Sequence, residues 1–237
     1  MATGRMSRRN KEADMCFSAG ASFAGGVIIS AVGVATGKQV KKPNQRLFAG
    51  IPLLFGFQQL AEGVLWVTLK SGGFERLQDA ATYVFLVTAL VIWPVMIPLS
   101  MWAMEEVKVR KQILTGLLVI GAALSLFYIY CFTFYDVYPR INSFHIQYID
   151  NFPRTYLDIG FYAYLTTTIP PLFVSSIRRM WIFGVLIALS CLVTGVFFSY
   201  YLTSVWCFFA ASISIAIYWI LSESRSRAGQ LAGAVQG

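Results

Sequence analysis

Residues 54–69 read LFGFQQLAEGVLWVTL, an apolar run fit for lipid that nevertheless carries Gln58, Gln59 and Glu62. A charged side chain at the centre of a membrane helix costs about 2.5–3.5 kcal/mol on insertion scales, so such residues face a bundle interior, a partner or a water-filled cavity. Positions three and four apart on a helix share a face. Gln58 and Glu62 are four apart, and Gln59, Glu62 and Trp66 are three and four apart, so these four side chains form one stripe. The rest of the chain must supply something for that stripe to face.

The composition makes the surrounding solvent clear. Of 237 residues, 57% are hydrophobic and only 13% charged, against about 25% charged in soluble domains. The chain reads as an all-α integral membrane protein. Its formal charge of +8 does not point to nucleic acid, because Lys and Arg sit in the short connections between apolar runs, where the positive-inside bias puts them. Four cysteines, Cys16, Cys131, Cys191 and Cys207, lie in or beside apolar runs without CxxC spacing, which gives no zinc knuckle or thioredoxin-like motif.

A spanning helix needs about 20 mostly apolar residues. On that measure the first span covers 15–36, and later spans fall near 46–69, 77–103, 110–134, 155–176, 179–198 and 200–221, making seven. Residues 1–14 are basic and polar and read as a disordered tail. Residues 222–237 read as a flexible cytoplasmic tail. Met15 is an expected alternative start, because the first apolar run begins there.

Orientation follows from the connections. Lys38, Lys41, Lys42 and Arg46 follow the first span, Lys108, Arg110 and Lys111 the third, Arg178 and Arg179 the fifth, and Arg225 and Arg227 the last. The alternate connections hold only Lys70, Arg76, Arg140 and Arg154. This asymmetry puts the N-terminus of a multi-pass chain outside and its C-terminus in the cytoplasm. A start at Met15 also removes Arg5, Arg8, Arg9 and Lys11 from the translocated side.

In that frame the polar groups gather in the outer half. Cys16, Ser18 and Ser22 belong to the first span, Glu62 to the second, Asp79 and Tyr83 to the third, Cys131 to the fourth, and Ser204, Trp206 and Cys207 to the seventh. Asp158, Tyr162 and Thr166 form a four-spaced stripe on the fifth. The inner halves are aliphatic, with Trp93-Pro94, Pro98 and Pro170-Pro171 expected to kink them. The ligand-binding candidates are therefore Glu62, Gln58, Gln59, Trp66, Cys16, Asp158, Tyr162, Trp206 and Cys207, around a pocket open to the outside. The loop 135–154, with the single histidine His145, is expected to lie in the aromatic interfacial belt or across the pocket as a lid. Ala21 and Gly25 are expected to permit close helix approach. Trp66, Trp102, Trp181 and Tyr200 sit near span ends, as interface anchors do.

Several chemistries are excluded. No lysine in the seventh span offers a retinal Schiff base, a single histidine cannot build a multi-histidine zinc site, and GxSxG, HExxH and phosphate-loop motifs are absent. No metal site and no cofactor is assigned. Glu62 suits a proton carrier, a cation ligand or a ligand-binding carboxyl of a transporter or sensor component. One alternative is a membrane-embedded enzyme in which Glu62 works with Cys16 or Cys207 as acid-base group, nucleophile or metal ligand. Another is an accessory subunit whose stripe meets a membrane-protein partner.

The segments MCFSAGASF at Met15, FGFQQLAEGVLW at Phe55 and SVWCFFAA at Ser204 resemble the signatures of a bacterial family of small polytopic membrane proteins of unknown function. The resemblance runs from Met15 to about Leu221. It implies that members begin at the equivalent of Met15 and that Cys16, Gln59, Glu62, Gly63, Trp66, Trp206 and Cys207 lie in its motifs, and it implies no activity.

Overall fold

A computed structural model describes residues 18–142, 145–177 and 179–222, and only the backbone of 154–158 and 199. Cys16, both chain termini and the tails expected there lie outside the described residues. The chain is mostly helical: α1 (Ala19–Gly37), α2 (Arg46–Ser71), α3 (Glu75–Leu86) and α4 (Trp93–Met104), followed by α5 (Lys108–Phe134). A hairpin of β1 (Val137–Asn142) and β2 (His145–Asp150) leads to α6 (Arg154–Thr168), α7 (Pro170–Val174), α8 (Met180–Phe197) and α9 (Leu202–Ile213). Six helical stretches are long and apolar enough to cross a membrane, the last running from Leu202 to Ser222.

The span expected at 155–176 is instead broken in two. Pro170 and Pro171 have no backbone N–H to continue the α6 ladder, so α6 ends at Thr168 and the short α7 follows. Thr167 and Thr168 turn their hydroxyls back on the carbonyls of Ala163 and Tyr164. Within an apolar environment this local bonding hides polar groups that lipid cannot satisfy.

The third expected span bends at a π-helical turn, Val87–Ile92, placed between α3 and α4 directly before Trp93-Pro94. Proline here removes one ladder donor and crowds the preceding turn, and a wider turn relieves it. Ser125 of α5 donates its hydroxyl to the Val91 carbonyl at 2.6 Å. The shift in register also sets the direction in which Trp93 enters the core.

The α1–α2 pair makes the most extensive helix contact. Its seam is Ser22, Gly26, Ile29, Gly33 and Thr36, one residue on from the expected Ala21 and Gly25. Gly25 has nothing near its Cα substituent position, whereas a Cβ on Gly26 would meet Leu60 at 2.8 Å and one on Gly33 would meet the backbone of Leu53 at 2.7 Å. From the α2 side, Gly56 touches the backbone of Gly26 and Ser30. Small residues let the backbones meet, as in membrane helix pairs generally.

Loop 135–154 contains antiparallel strands. Val137 pairs with Asp150, Pro139 with Tyr148 and Ile141 with Ile146, and alternate side chains along a strand share a face. Val137 and Ile146 are buried against the bundle while Tyr138 and Arg140 are exposed. Ile146 is wholly buried, and the Tyr148 ring stacks on Phe85 of α3 at 5.1 Å and 13°. The hairpin thus closes one end of the bundle, hereafter the hairpin end.

The opposite end is held by Glu105, which follows α4 and is 2% exposed. Its Oε1 accepts from the N–H groups of Val107 and Glu106 and from the Ser176 hydroxyl, and its Oε2 accepts from the Ser176 N–H at 2.7 Å. Arg110 adds a bond to the Val174 carbonyl at 3.3 Å. Burial pushes the Glu105 carboxyl up, but these donors outweigh it and hold the group below the usual carboxylate range. The exposed Lys42–Glu106 pair at 3.8 Å adds little, as surface pairs do.

Two predictions test this packing. Gly56→Ala forces a methyl against the α1 backbone and should destabilise the protein by about 1–3 kcal/mol, while Gly25→Ala should leave thermal unfolding in detergent nearly unchanged. Glu105→Gln loses the charge-assisted part of its bonds and should cost about 2 kcal/mol at neutral pH. Because the folded carboxyl is depressed, that stabilisation is present above the unfolded pKa and disappears as pH falls through the folded one. Melting curves of wild type and Glu105→Gln should therefore converge in acid.

Candidate functional site

The polar stripe of α2 faces inward. Gln58 and Gln59 are 0% exposed and Glu62 3%. They lie where two apolar clusters meet, one containing Phe55, Trp93 and Trp206, the other Leu65, Trp66, Phe85 and Cys207. A buried polar group is costly unless bonded, and most of these side chains find partners from distant parts of the chain.

Gln58 uses both ends of its amide. Its Nε2 donates to the Cys207 sulfur at 3.2 Å and more weakly to the Phe85 carbonyl at 3.5 Å, and its Oε1 accepts from the Trp93 indole N–H at 3.0 Å. Trp93 in turn stacks on Phe55 at 4.0 Å. Glu62 accepts a hydrogen bond from the Ser204 hydroxyl of α9. No ion pair to Glu62 forms among the described residues. Gln59 approaches the Glu62 carboxyl, but its amide makes no hydrogen bond of normal geometry. The Tyr148 hydroxyl, brought down by β2, is buried with no hydrogen-bond partner among the described residues and interacts electrostatically with Glu62 and Cys207.

Two hollows adjoin this cluster. One, of about 190 Å³, lies towards the hairpin end between Tyr128, Asp150, Phe152, Phe161, Thr203 and Trp206, and reaches Cys207. The other, of about 40 Å³, is almost wholly apolar and lies among Phe55, Trp93, Ile97, Phe183 and Ile187. Tyr164, Trp206 and Cys207 border both. Tyr164 and Trp206 meet edge to face at 5.5 Å, and the Trp206 N–H donates to the Ser190 hydroxyl at 3.2 Å. The indole is thus anchored as a wall between the hollows. Glu62 itself borders neither; its link to them is Gln58, Cys207 and Tyr148.

The structure brings together Gln58, Gln59, Glu62, Trp206 and Cys207. Trp66, 4% exposed, is buried beside them with the Lys70 ammonium 5.3 Å from its ring centroid, so it packs inside the bundle rather than anchoring at an interface. Tyr162 is not at the site: it is 67% exposed. The face of α6 that borders the hollows carries Phe161, Tyr164 and Thr168, and Thr166 is exposed with its hydroxyl bonded to the Tyr162 carbonyl. Polar spacing misleads here because a threonine tolerates an outer face when its hydroxyl bonds back to the helix, as that of Thr166 does to the Tyr162 carbonyl. The side chain of Asp158 and all of Cys16 lie outside the described residues. Cys131, Cys191 and Cys207 are free and buried, and among the described residues no three His, Cys, Asp or Glu converge as metal ligands would.

The contributions absent from the expected set are Tyr148, Trp93 and Asp150. Tyr148 and Asp150 were detectable from the two-residue alternation Ile146, Tyr148, Asp150, which puts all three on one strand face. Nothing local marks Trp93, whose direction depends on the π-helical turn. No curated protein and no solved structure matches the chain. The model of a family of unknown function, DUF6629, matches residues 15–232, which include every residue of the cluster, and the chain belongs to that family.

Proposed function

We propose that this is a multi-pass protein of the bacterial inner membrane that binds a small polar ligand or cation in an outward-facing intramembrane pocket at the Glu62 cluster, as a transport or sensing component. The observation that carries the reading is the hollow of about 190 Å³ that runs from Asp150 at the hairpin to Cys207, whose sulfur is tied through Gln58 to the Glu62 helix. Acids retained inside membrane domains mark ligand and ion pathways by default.

Seven crossings with the N-terminus outside suit this reading. Gln58 meets Cys207 and Glu62 meets Ser204, so α2 and α9 run in opposite directions, as the second and seventh of seven crossings do. The Glu105–Ser176 bonds also tie the end of α4 to the end of α7, which supports α6 and α7 traversing together. The Lys and Arg excess then lies with Glu105 on the cytoplasmic side, and the hairpin covers the outer mouth.

A membrane-embedded enzyme is the second reading, favoured by the Cys207 sulfur lying within hydrogen-bond reach of Gln58 and beside Glu62 and Tyr148. In that case Cys207→Ser should abolish turnover of a bound molecule while preserving its binding.

Glu62→Gln tests the first reading. The amide keeps the shape and can still accept from Ser204, so the variant should fold with a near-normal melting temperature. Wild type purified in mild detergent should carry a bound small molecule or cation, seen by mass spectrometry and elemental analysis of the extract, and the variant should be depleted of it, because the Glu62 carboxylate, although it does not line the hollow, supplies the charge behind it and holds α9 through Ser204 next to Thr203 of its wall. Equal loading of both proteins, or an empty wild type, would remove the assignment.

A further inference from the structure

The larger hollow has a lining with a definite chemical preference. Its walls carry the rings of Tyr128, Phe152, Phe161, Tyr164 and Trp206, and among the described residues its lining contains one carboxylate, Asp150, and no Lys or Arg. An aromatic face attracts a cation through its quadrupole, and several rings about one space form the arrangement that recognises alkylated ammonium groups. A nearby carboxylate adds charge complementarity without requiring a donor on the ligand.

Asp150 is available for that role. Its Oδ1 accepts from the Phe152 N–H at 3.2 Å, and no ion pair to it forms among the described residues. That bond also fixes the turn after β2, so the carboxylate and the Phe152 ring enter the hollow from one rigid corner. Phe152 is braced by Phe132 at 5.8 Å and Tyr135 at 6.1 Å, and Trp206 by its bond to Ser190. Rings held by neighbours keep their faces in place before a ligand arrives, which lowers the ordering cost of binding. The volume is suitable: an engineered apolar cavity of about 150 Å³ holds benzene, and this one has about 190 Å³.

We propose that the hollow is an aromatic cage for an organic ammonium ion, its cationic head against Asp150, Phe161 and Trp206. This names the ligand class for the pocket proposed above and rests on that reading. The smaller apolar hollow beyond Tyr164 and Trp206 has room for about one water, so the ligand stops at the Trp206 wall and is a compact head group rather than a long-chain amphiphile.

The test uses the full chain in mild detergent, with calorimetric titration of choline and of its uncharged carbon isostere dimethylbutanol. Choline should bind, and the isostere should bind about tenfold or more weakly, since a desolvated cation–π contact contributes about 2 kcal/mol. Asp150→Asn and Phe161→Leu should each weaken choline by about tenfold with unchanged melting temperature, and Asp150→Glu should restore part of the loss. Equal affinity for choline and the isostere would overturn the cage while leaving a ligand pocket. Absence of choline binding in a protein that still carries a Glu62-dependent small molecule would overturn the ammonium class alone. Absence of both would overturn the two readings together.

Discussion

The contact on which the rest of the architecture depends is the pair of polar rungs between α2 and α9, Gln58 to Cys207 and Glu62 to Ser204. Each rung joins residues more than a hundred positions apart in sequence. In a membrane there is little hydrophobic preference for one helix over another, because lipid is as apolar as leucine, so packing shape and polar bonds choose the neighbours. Two rungs one helical turn apart define both direction and register. Sliding α9 by a turn would take the Ser204 hydroxyl from the buried Glu62 carboxyl and leave Gln58 with only Trp93 and the Phe85 carbonyl.

These rungs impose conditions on elements that do not contain them. Gln58 has an acceptor to fill, and Trp93 fills it only because the π-helical turn ahead of Pro94 sets its direction. That turn leaves the Val91 carbonyl to be bonded by Ser125 of α5. The α1 helix supports α2 from behind through glycine contacts at Gly26, Gly33 and Gly56. Polar satisfaction at one point thus propagates into helix bending and backbone approach several residues away.

How much of this was legible follows from which interactions are local. The inward turn of Gln58, Gln59 and Glu62 was readable because burial of polar atoms and the period of a helix are both local rules. Long apolar runs likewise announced the six helical stretches long and apolar enough to cross a membrane. The α6–α7 break was half visible: Pro170-Pro171 signalled a kink, but whether a helix bends or ends depends on what receives its carbonyls. The stripe Asp158, Tyr162 and Thr166 misled at Tyr162, which is exposed, and at Thr166, whose hydroxyl bonds back to its own helix; only packing decides between faces. The Glu105 clamp was not legible, because its partner Ser176 is distant in sequence and an acid in a short connection looks hydrated.

The two ends of the bundle differ in a way that bears on function. Glu105 closes one end with four hydrogen bonds to its carboxylate, and a separate hollow of about 320 Å³ lies on the α1–α2 side of that end among Gly37, Val40, Arg46 and Leu53. The hairpin closes the other end with aromatic stacking and a single acceptor bond at Asp150, above a cavity. Charge-assisted bonds to a buried carboxylate are directional and resist separation, whereas ring contacts permit sliding at smaller cost. A ligand reaching Cys207 past Asp150 and under the hairpin would have to displace only the stacked rings of Tyr148 and Phe85, whereas entry past Glu105 would strip several hydrogen bonds from its carboxylate. The Tyr148 hydroxyl, buried beside Glu62 with no hydrogen-bond partner among the described residues, leaves a polar group still to satisfy at the hairpin end.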